Sequence, residues 1–268
     1  MTYKLLAADM DGTLLNDNRE LSPRTAAALR KMVEAGIYFV PSTGRPLIRM
    51  GMISSLFNED MPFILYNGAM VVMHLSGEVL HSVSLAQDTA QEVYQLGQDY
   101  DMAMALWQND KLYFNRDCHN TREYVELYSA NLNIISGQAQ LESLAGQGIT
   151  KILWIDDPSR VMSYYKKMSA HFGDRLNCHP SRPELLEFVH TAASKAAAME
   201  AIGSRLGVSQ AEMIAIGDGY NDLSMLQYAG FSVAMANAPE EIKAVCSHVT
   251  GSNNEDGVAA FIEEYLLS

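Results

Sequence analysis

Four continuous apolar runs of strand length, "YKLLAAD", "IYFVPS", "FILYNG" and "MIAIGD", alternate with segments of helical pattern, and this rhythm constrains the fold more than any other feature of the chain. A strand without polar alternation is buried on both faces, which is the condition of a parallel sheet covered by helices. Between the first two runs, "SPRTAAALRKMVEAG" predicts a helix with Ser22 as N-cap, Pro23 at its first position and Gly36 as its stop. A further helix is expected over "PLIRMGMISSLF". The late part repeats the pattern: helical "NDLSMLQYAG", the strand "FSVAM", helical "PEEIKAVC" and helical "DGVAAFIEEYLLS".

The middle of the chain reads differently. "MAMALWQNDKLYFN" predicts a hairpin turning at Asn109-Asp110, followed by helical "REYVELYSANL", the strand "KILWI", helical "SRVMSYYKKMSAHF" and two short runs around "HPSRP". Hairpins with packed helices imply an α+β insert with its own sheet, in which "SLAGQGIT" is the only linker-like stretch. The 268 residues suit two modest domains. The expected division is a core of 1–81 and 191–268 with an insert of 82–190.

A formal net charge of −13 works against general attraction to nucleic acid or to an anionic membrane, so an anionic ligand must be held by local groups. The apolar run at the N-terminus is too short and too quickly acidic for a signal peptide, and no stretch reaches the roughly 18 apolar residues of a membrane span. Cys118, Cys178 and Cys246 form no CxxC pair, which suits a reducing compartment. These features lead us to expect a soluble cytoplasmic protein. The sixteen methionines read as core packing, and the seven histidines show no metal-ligand spacing.

In an open parallel sheet, ligands bind beyond the carboxyl ends of the strands. The first run ends at Asp9, the second at Ser42-Thr43-Gly44-Arg45, the third at Asn67-Gly68, and "MIAIGD" at Asp218, with Asn221 and Asp222 just beyond. Asp9 and Asp11 would face the same way only if the first strand continued past its end, and Gly12 argues that it does not. Asp9, Asp11, Asp218 and Asp222 are more carboxylate than one buried site can keep ionised without a cation. All-oxygen donors with no nearby histidine or cysteine favour magnesium.

"DMDGTLL", "STGR", the lysine of "ASKAAAMEAIGSRLGV" and "GDGYNDLSML" resemble, in order, the four motifs of haloacid dehalogenase (HAD) superfamily phosphatases. The tail "ANAPEEIKAVCSHVTGSNNEDGVAAFIEEYL" resembles the Cof-type branch, class IIB. The resemblance implies an α/β fold with a doubly wound, parallel, Rossmann-like HAD core and an inserted α+β cap domain whose closure excludes bulk water. It also implies roles. Asp9 corresponds to the nucleophile that forms an aspartyl-phosphate, and Asp11 to the general acid/base, whose backbone carbonyl also meets the metal. Thr43 and Lys195 correspond to the phosphate-binding hydroxyl and ammonium, Asp218 to the principal magnesium ligand, and Asn221 and Asp222 to supporting positions. Gly44 and Arg45 complete the second motif; Arg45 and Asn67 read equally as substrate contacts or as structural residues. Asn254 and Asp256 read as helix N-cap and first-turn acid.

Two positions depart from the family pattern: Ala196 stands where a glycine usually follows the lysine, and His190 where a small or acidic residue is frequent. Neither removes a reacting group. In the insert, Trp107 and Tyr113 read as core, and "HPSRPELLE" as a loop facing the site with Arg182 toward substrate. The expected activity is magnesium-dependent hydrolysis of a small phosphorylated metabolite, sugar phosphates foremost. The rivals are a sugar phosphomutase and a silent ligand-binding regulator on the same scaffold.

Overall fold

A computed structural model describes residues 3–128 and 130–268. The chain forms two compact units, one made of the described residues up to Ser82 together with Ser194–Ser268, the other of Val83–Ala193. The first unit begins with β1 (Leu5–Asp9), α1 (Pro23–Glu34), β2 (Tyr38–Ser42), α2 (Gly51–Ser54), β3 (Pro62–Leu65), β4 (Met70–Met73) and β5 (Val79–Ser82). The second holds α3 (Gln87–Asp99), β6 (Ala103–Gln108), β7 (Lys111–Phe114), α4 (His119–Tyr128), α5 (Gln138–Gly146), β8 (Lys151–Ile155), α6 (Pro158–Phe172), β9 (Asn177–Arg182) and β10 (Leu185–Val189). The first unit then resumes with α7 (Lys195–Leu206), β11 (Met213–Gly217), α8 (Leu223–Tyr228), β12 (Phe231–Ala234), α9 (Glu240–Lys243), β13 (His248–Val249) and α10 (Gly257–Tyr265).

The sheet of the first unit runs β13-β12-β11-β1-β2-β3-β4-β5. It is parallel from β13 to β3, with Leu5 opposite both Met213 of β11 and Tyr38 of β2. Leu5, Leu6, Ala7 and Ala8 are all fully buried, so both faces of β1 are covered, as its unbroken apolar run demands. Helix α1 starts where Ser22 accepts a hydrogen bond from the Thr25 amide at 3.0 Å, and it buries Ala28, Leu29 and Met32. Burying Leu29 and Met32 contributes roughly 1.5–3 kcal/mol each. The chain leaves β1 for β2 on one side and reaches β11 on the other, which makes the carboxyl end of β1 a topological switch point.

After β3 the sheet departs from the predicted rhythm. β4 and β5 add antiparallel to its edge as a hairpin that our sequence reading did not assign. Both are four residues long and joined through "HLSGE", too short to give a periodic signal.

The second unit is an antiparallel sheet of order β7-β6-β8-β10-β9. Asn109 and Asp110 both have positive φ (48° and 58°), the backbone that a two-residue hairpin turn requires. Met104, Leu106, Trp154 and Phe188 pack into one cluster with Val93 of α3, Leu144 of α5 and Val161 of α6. Two expectations for this unit are corrected. "SLAGQGIT" is no linker, because Ser143–Gly146 closes α5, which buries Leu141, Leu144 and Ala145 at helical spacing behind a run of exposed polar residues. "HPSRPELLE" is not a loop either: His179–Arg182 belongs to β9 and Leu185–Glu187 to β10. Pro180 is tolerated because β9 is the edge strand. The helix expected over "REYVELYSANL" starts earlier, at His119, and is described to Tyr128; Ser129 lies outside the described residues. No described helix is long and apolar enough to cross a membrane.

Candidate active site

Three strand ends and one helix start converge at the switch point. Asp9 closes β1, Ser42 stands opposite it at the end of β2, Asp218 follows β11, and Lys195 is the first residue of α7. The Ser194 hydroxyl caps α7 by accepting from the Ala197 amide at 3.1 Å. Gly68, with φ of 97°, packs directly on the Ser194 carbonyl, where a Cβ would collide with the backbone. That close approach seats the start of α7 beneath the sheet end.

Lys195 is the centre of the arrangement and has no exposed surface. Its ammonium donates to Asp9 Oδ1 at 2.6 Å, to Asp222 Oδ1 at 2.6 Å and to the Ser42 carbonyl at 2.9 Å. Asp222 Oδ2 in turn accepts the amides of Asp218 and Gly219, at 3.0 and 2.9 Å. Gly217 makes room for it, since a Cβ there would meet the Asp222 carboxylate at 2.7 Å. Asp218 Oδ1 accepts from the Thr13 hydroxyl at 2.9 Å. Thr13 is thus a site residue that our sequence reading quoted in its motif without assigning it a part.

One ligand oxygen from each of Asp9, Asp218 and Asp222 lies within 4.8 Å of the others. Three carboxylates face one ammonium, so two negative charges are left to be balanced when all are ionised. The electrostatics carry this imbalance. The Asp9 carboxyl is pushed up to about 7, first by burial and then by Asp222 and Asp218, with Lys195 working in the opposite direction. Burial followed by Asp222 raises Asp218 as well, against the Thr13 hydrogen bond and Lys195. Burial works against the charge on Lys195, but Asp9 and Asp222 outweigh it and hold its pKa above the ordinary value. Oxygen donors, excess negative charge and the absence of nitrogen or sulfur from the cluster fit a hard divalent cation. Asp9 and Asp218 each keep one oxygen beyond those engaged by Lys195 and Thr13, whereas both oxygens of Asp222 are in use.

Asp11 stands outside this cluster. β1 ends at Asp9, Gly12 turns the chain at φ of 82°, and the Asp11 side chain is 53% exposed. Arg45 grips it with both arms of its fork, Nε donating to Oδ2 at 2.8 Å and Nη2 to Oδ1. The sequence reading set Asp11 with the metal carboxylates; its side chain instead pairs with a cation of the second motif. Gly12 has to be glycine on steric grounds too, because a Cβ would strike the Asp218 carboxylate. Thr43 is buried, and its hydroxyl accepts the Arg45 amide at 3.2 Å. Gly44 packs on the Asn67 amide, and Asn67 has a left-handed backbone with φ of 55°. Asn221 is exposed, its side chain folded toward Gly219.

The chain matches the family described as haloacid dehalogenase-like hydrolase over residues 6–262. It is 34% identical to YxeH of Bacillus subtilis, a protein provisionally named a phosphatase, over 99% of either chain. It is 29% identical to the 5-amino-6-(5-phospho-D-ribitylamino)uracil phosphatase YitU of the same organism, covering 98% of this chain and 97% of that one. Among solved structures, a protein of Thermotoga maritima superposes with a TM-score of 0.87 at 29% identity, over 98% of this chain and 97% of that chain.

Proposed function

The chain belongs to the haloacid dehalogenase-like hydrolases and is a phosphatase, and from that premise we propose that it hydrolyses small phosphorylated metabolites, sugar phosphates foremost, with magnesium and through an aspartyl-phosphate on Asp9. The observation that carries the reading is the buried ammonium of Lys195, shared between Asp9 and Asp222 at the end of β1.

Lys195 favours the ionised form of the nucleophile and aims it, because its hydrogen bond takes Oδ1 and leaves Oδ2 of Asp9 for attack. That oxygen forms a bond to phosphorus as the bond from phosphorus to the substrate oxygen breaks. Asp11, once its carboxyl leaves the Arg45 fork and takes up a proton, gives that proton to the departing alkoxide. Water then attacks the phosphorus of the aspartyl ester, its proton passes to Asp11, and the Asp9 carboxylate is restored with release of inorganic phosphate. Thr43 hydrogen-bonds an equatorial oxygen and Lys195, its three protons committed to Asp9, Asp222 and the Ser42 carbonyl, offsets the negative charge beside it, with Gly44 and Arg45 bordering the phosphate and Asn221 at the rim. Asp9 and Asp218, supported by Asp222 and the Asp11 carbonyl, would hold a magnesium ion, which would supply the charge neutralisation that lets a phosphate dianion approach a carboxylate.

The substrate class draws support from the relative that acts on a phosphorylated ribityl chain. The test is inorganic phosphate release from a panel of sugar and polyol phosphates together with p-nitrophenyl phosphate, with magnesium, with chelator, and for Asp9→Asn. Magnesium-dependent release that disappears in Asp9→Asn is expected. A folded, magnesium-loaded protein that frees phosphate from nothing, or an Asp9→Asn variant that keeps its activity, would overturn the reading.

A further inference from the structure

The turn that carries both reacting carboxylates is tied to a part of the chain more than 200 residues away. Within the turn, the Leu14 amide donates to the Asp9 carbonyl at 3.3 Å and the Leu15 amide to the Met10 carbonyl at 2.9 Å, so residues 9–15 form one closed loop of backbone with Asp11 and Gly12 at its crest. Asn237, just beyond β12, donates from Nδ2 to the Gly12 carbonyl at 2.8 Å. Its amide cannot turn over without loss, because Oδ1 accepts the Asn253 amide at 3.0 Å. Asn253 is buried and grips the other end of the same loop, donating from Nδ2 to the Leu15 carbonyl and to Asp17 Oδ1, both at 3.1 Å. Asn254 closes the brace by exchanging two hydrogen bonds with Asp17.

We infer that Asn237, held by Asn253, is a positioning residue that fixes the Gly12 peptide and through it the placement of Asp11. Asp9 needs no such help, since it closes a buried strand and is pinned by Lys195. Asp11 has neither support: it lies past the strand, it is exposed, and its side chain is held by Arg45 alone among the contacts described above. The brace supplies the backbone half of its anchorage. The inference rests on the reading of Asp11 as the proton donor.

A misplaced proton donor leaves a particular kinetic signature. An alkyl phosphate needs its leaving oxygen protonated, whereas p-nitrophenolate departs without a proton. Correct general acid catalysis is worth about 10²–10⁴-fold, and partial misplacement forfeits part of that. At saturating magnesium, Asn237→Ala is expected to lower kcat/KM for a sugar phosphate by roughly tenfold or more and that for p-nitrophenyl phosphate by less than about threefold. Asn237→Asp keeps the shape and the acceptor but loses the donor, and should show the same split. Equal losses on both substrates, or no loss on either, would overturn the inference, since a general loosening of the fold does not sort substrates by leaving group. Asp11→Asn, measured alongside, separates the two readings. A split there and none in the Asn237 variants removes the brace and leaves the phosphatase mechanism standing; no split in Asp11→Asn removes the assigned acid, and the inference with it.

Discussion

Lys195 and Asp222 form an ion pair with no exposed surface on either side chain, their atoms 2.6 Å apart. Such a pair is held by geometry: the carboxylate accepts the ammonium on one oxygen and two backbone amides on the other. Taking Asp222 away leaves the ammonium with Asp9 as its carboxylate partner and deprives two backbone amides of their acceptor, which costs about 1–3 kcal/mol. Asp222→Ala is therefore expected to lower the unfolding free energy in urea by about that amount and to abolish turnover, because the two amides after β11 and the ammonium lose their common anchor. A variant as stable as the parent would show that the pair does not organise the site.

Asp9 gives the site a pH dependence with a definite sign. Its carboxyl is pushed up to about 7, first by burial and then by its acidic neighbours, while the unfolded chain leaves it near 3.8. A proton on Asp9 thus favours the folded state: the contribution is complete below about pH 4 and is lost as pH rises through 7, an effect on the order of a few kcal/mol. In chelator, the urea midpoint of the parent should fall relative to that of Asp9→Asn between pH 4.5 and pH 8. Added magnesium should flatten the difference, because the cation takes over the charge balance that the proton provides. Parallel pH courses for the two proteins in chelator would sink this account.

Much of this site was readable because its parts stand at the ends of unbroken apolar runs. "KLLAAD", "IYFVPS" and "MIAIGD" become β1, β2 and β11, three adjacent strands, so residues more than 200 positions apart share one sheet edge. Other features depended on contacts that no local pattern encodes. The grip of Arg45 on Asp11 needs the turn at Gly12 to aim the carboxylate outward, and the sequence shows only that a turn occurs. Asn237 follows β12 and Asn253 opens a short 3-10 turn, places where asparagine is unremarked, and the Gly12 and Leu15 carbonyls they reach lie more than 200 residues away in the sequence. Asp256 is the residue before α10 with a left-handed backbone, while Asn254, expected to cap that helix, bonds Asp17 instead. In the second unit, α5 was hidden by its own polar face, which left only Leu141, Leu144 and Ala145 to mark the buried side.

The three cysteines should differ in reactivity. Burial pushes the Cys178 thiol up to about 12, so it stays protonated at pH 8 and resists alkylation in the folded protein. Burial acts the same way on Cys118, but there the Thr121 hydrogen bonds and the Arg116 guanidinium outweigh it and set the thiol below its ordinary value. Burial also raises Cys246. Brief treatment with iodoacetamide at pH 8, followed by peptide mass mapping, should label Cys118 first. Labelling of Cys178 ahead of it would contradict the described environment.

Lys151 and Glu187 make a second buried pair, on β8 and β10 of the other unit, each 6% exposed and 3.3 Å apart. In that sheet Glu187 stands opposite Leu153 of β8 and His179 of β9, and Lys151 opposite Val189 of β10 and Trp107 of β6. An ion pair of this kind is weak support for stability, because the desolvation of both charges offsets most of their attraction. The double change Lys151→Met with Glu187→Leu should cost less than the sum of the two single changes, because each single change leaves the other member of the pair without this partner and the double change removes both charges together. Urea unfolding of the four proteins measures the coupling directly. If the double variant instead loses the sum of the two single effects, then each charge answers to something other than its partner, and the pair is not the unit that the sheet holds together.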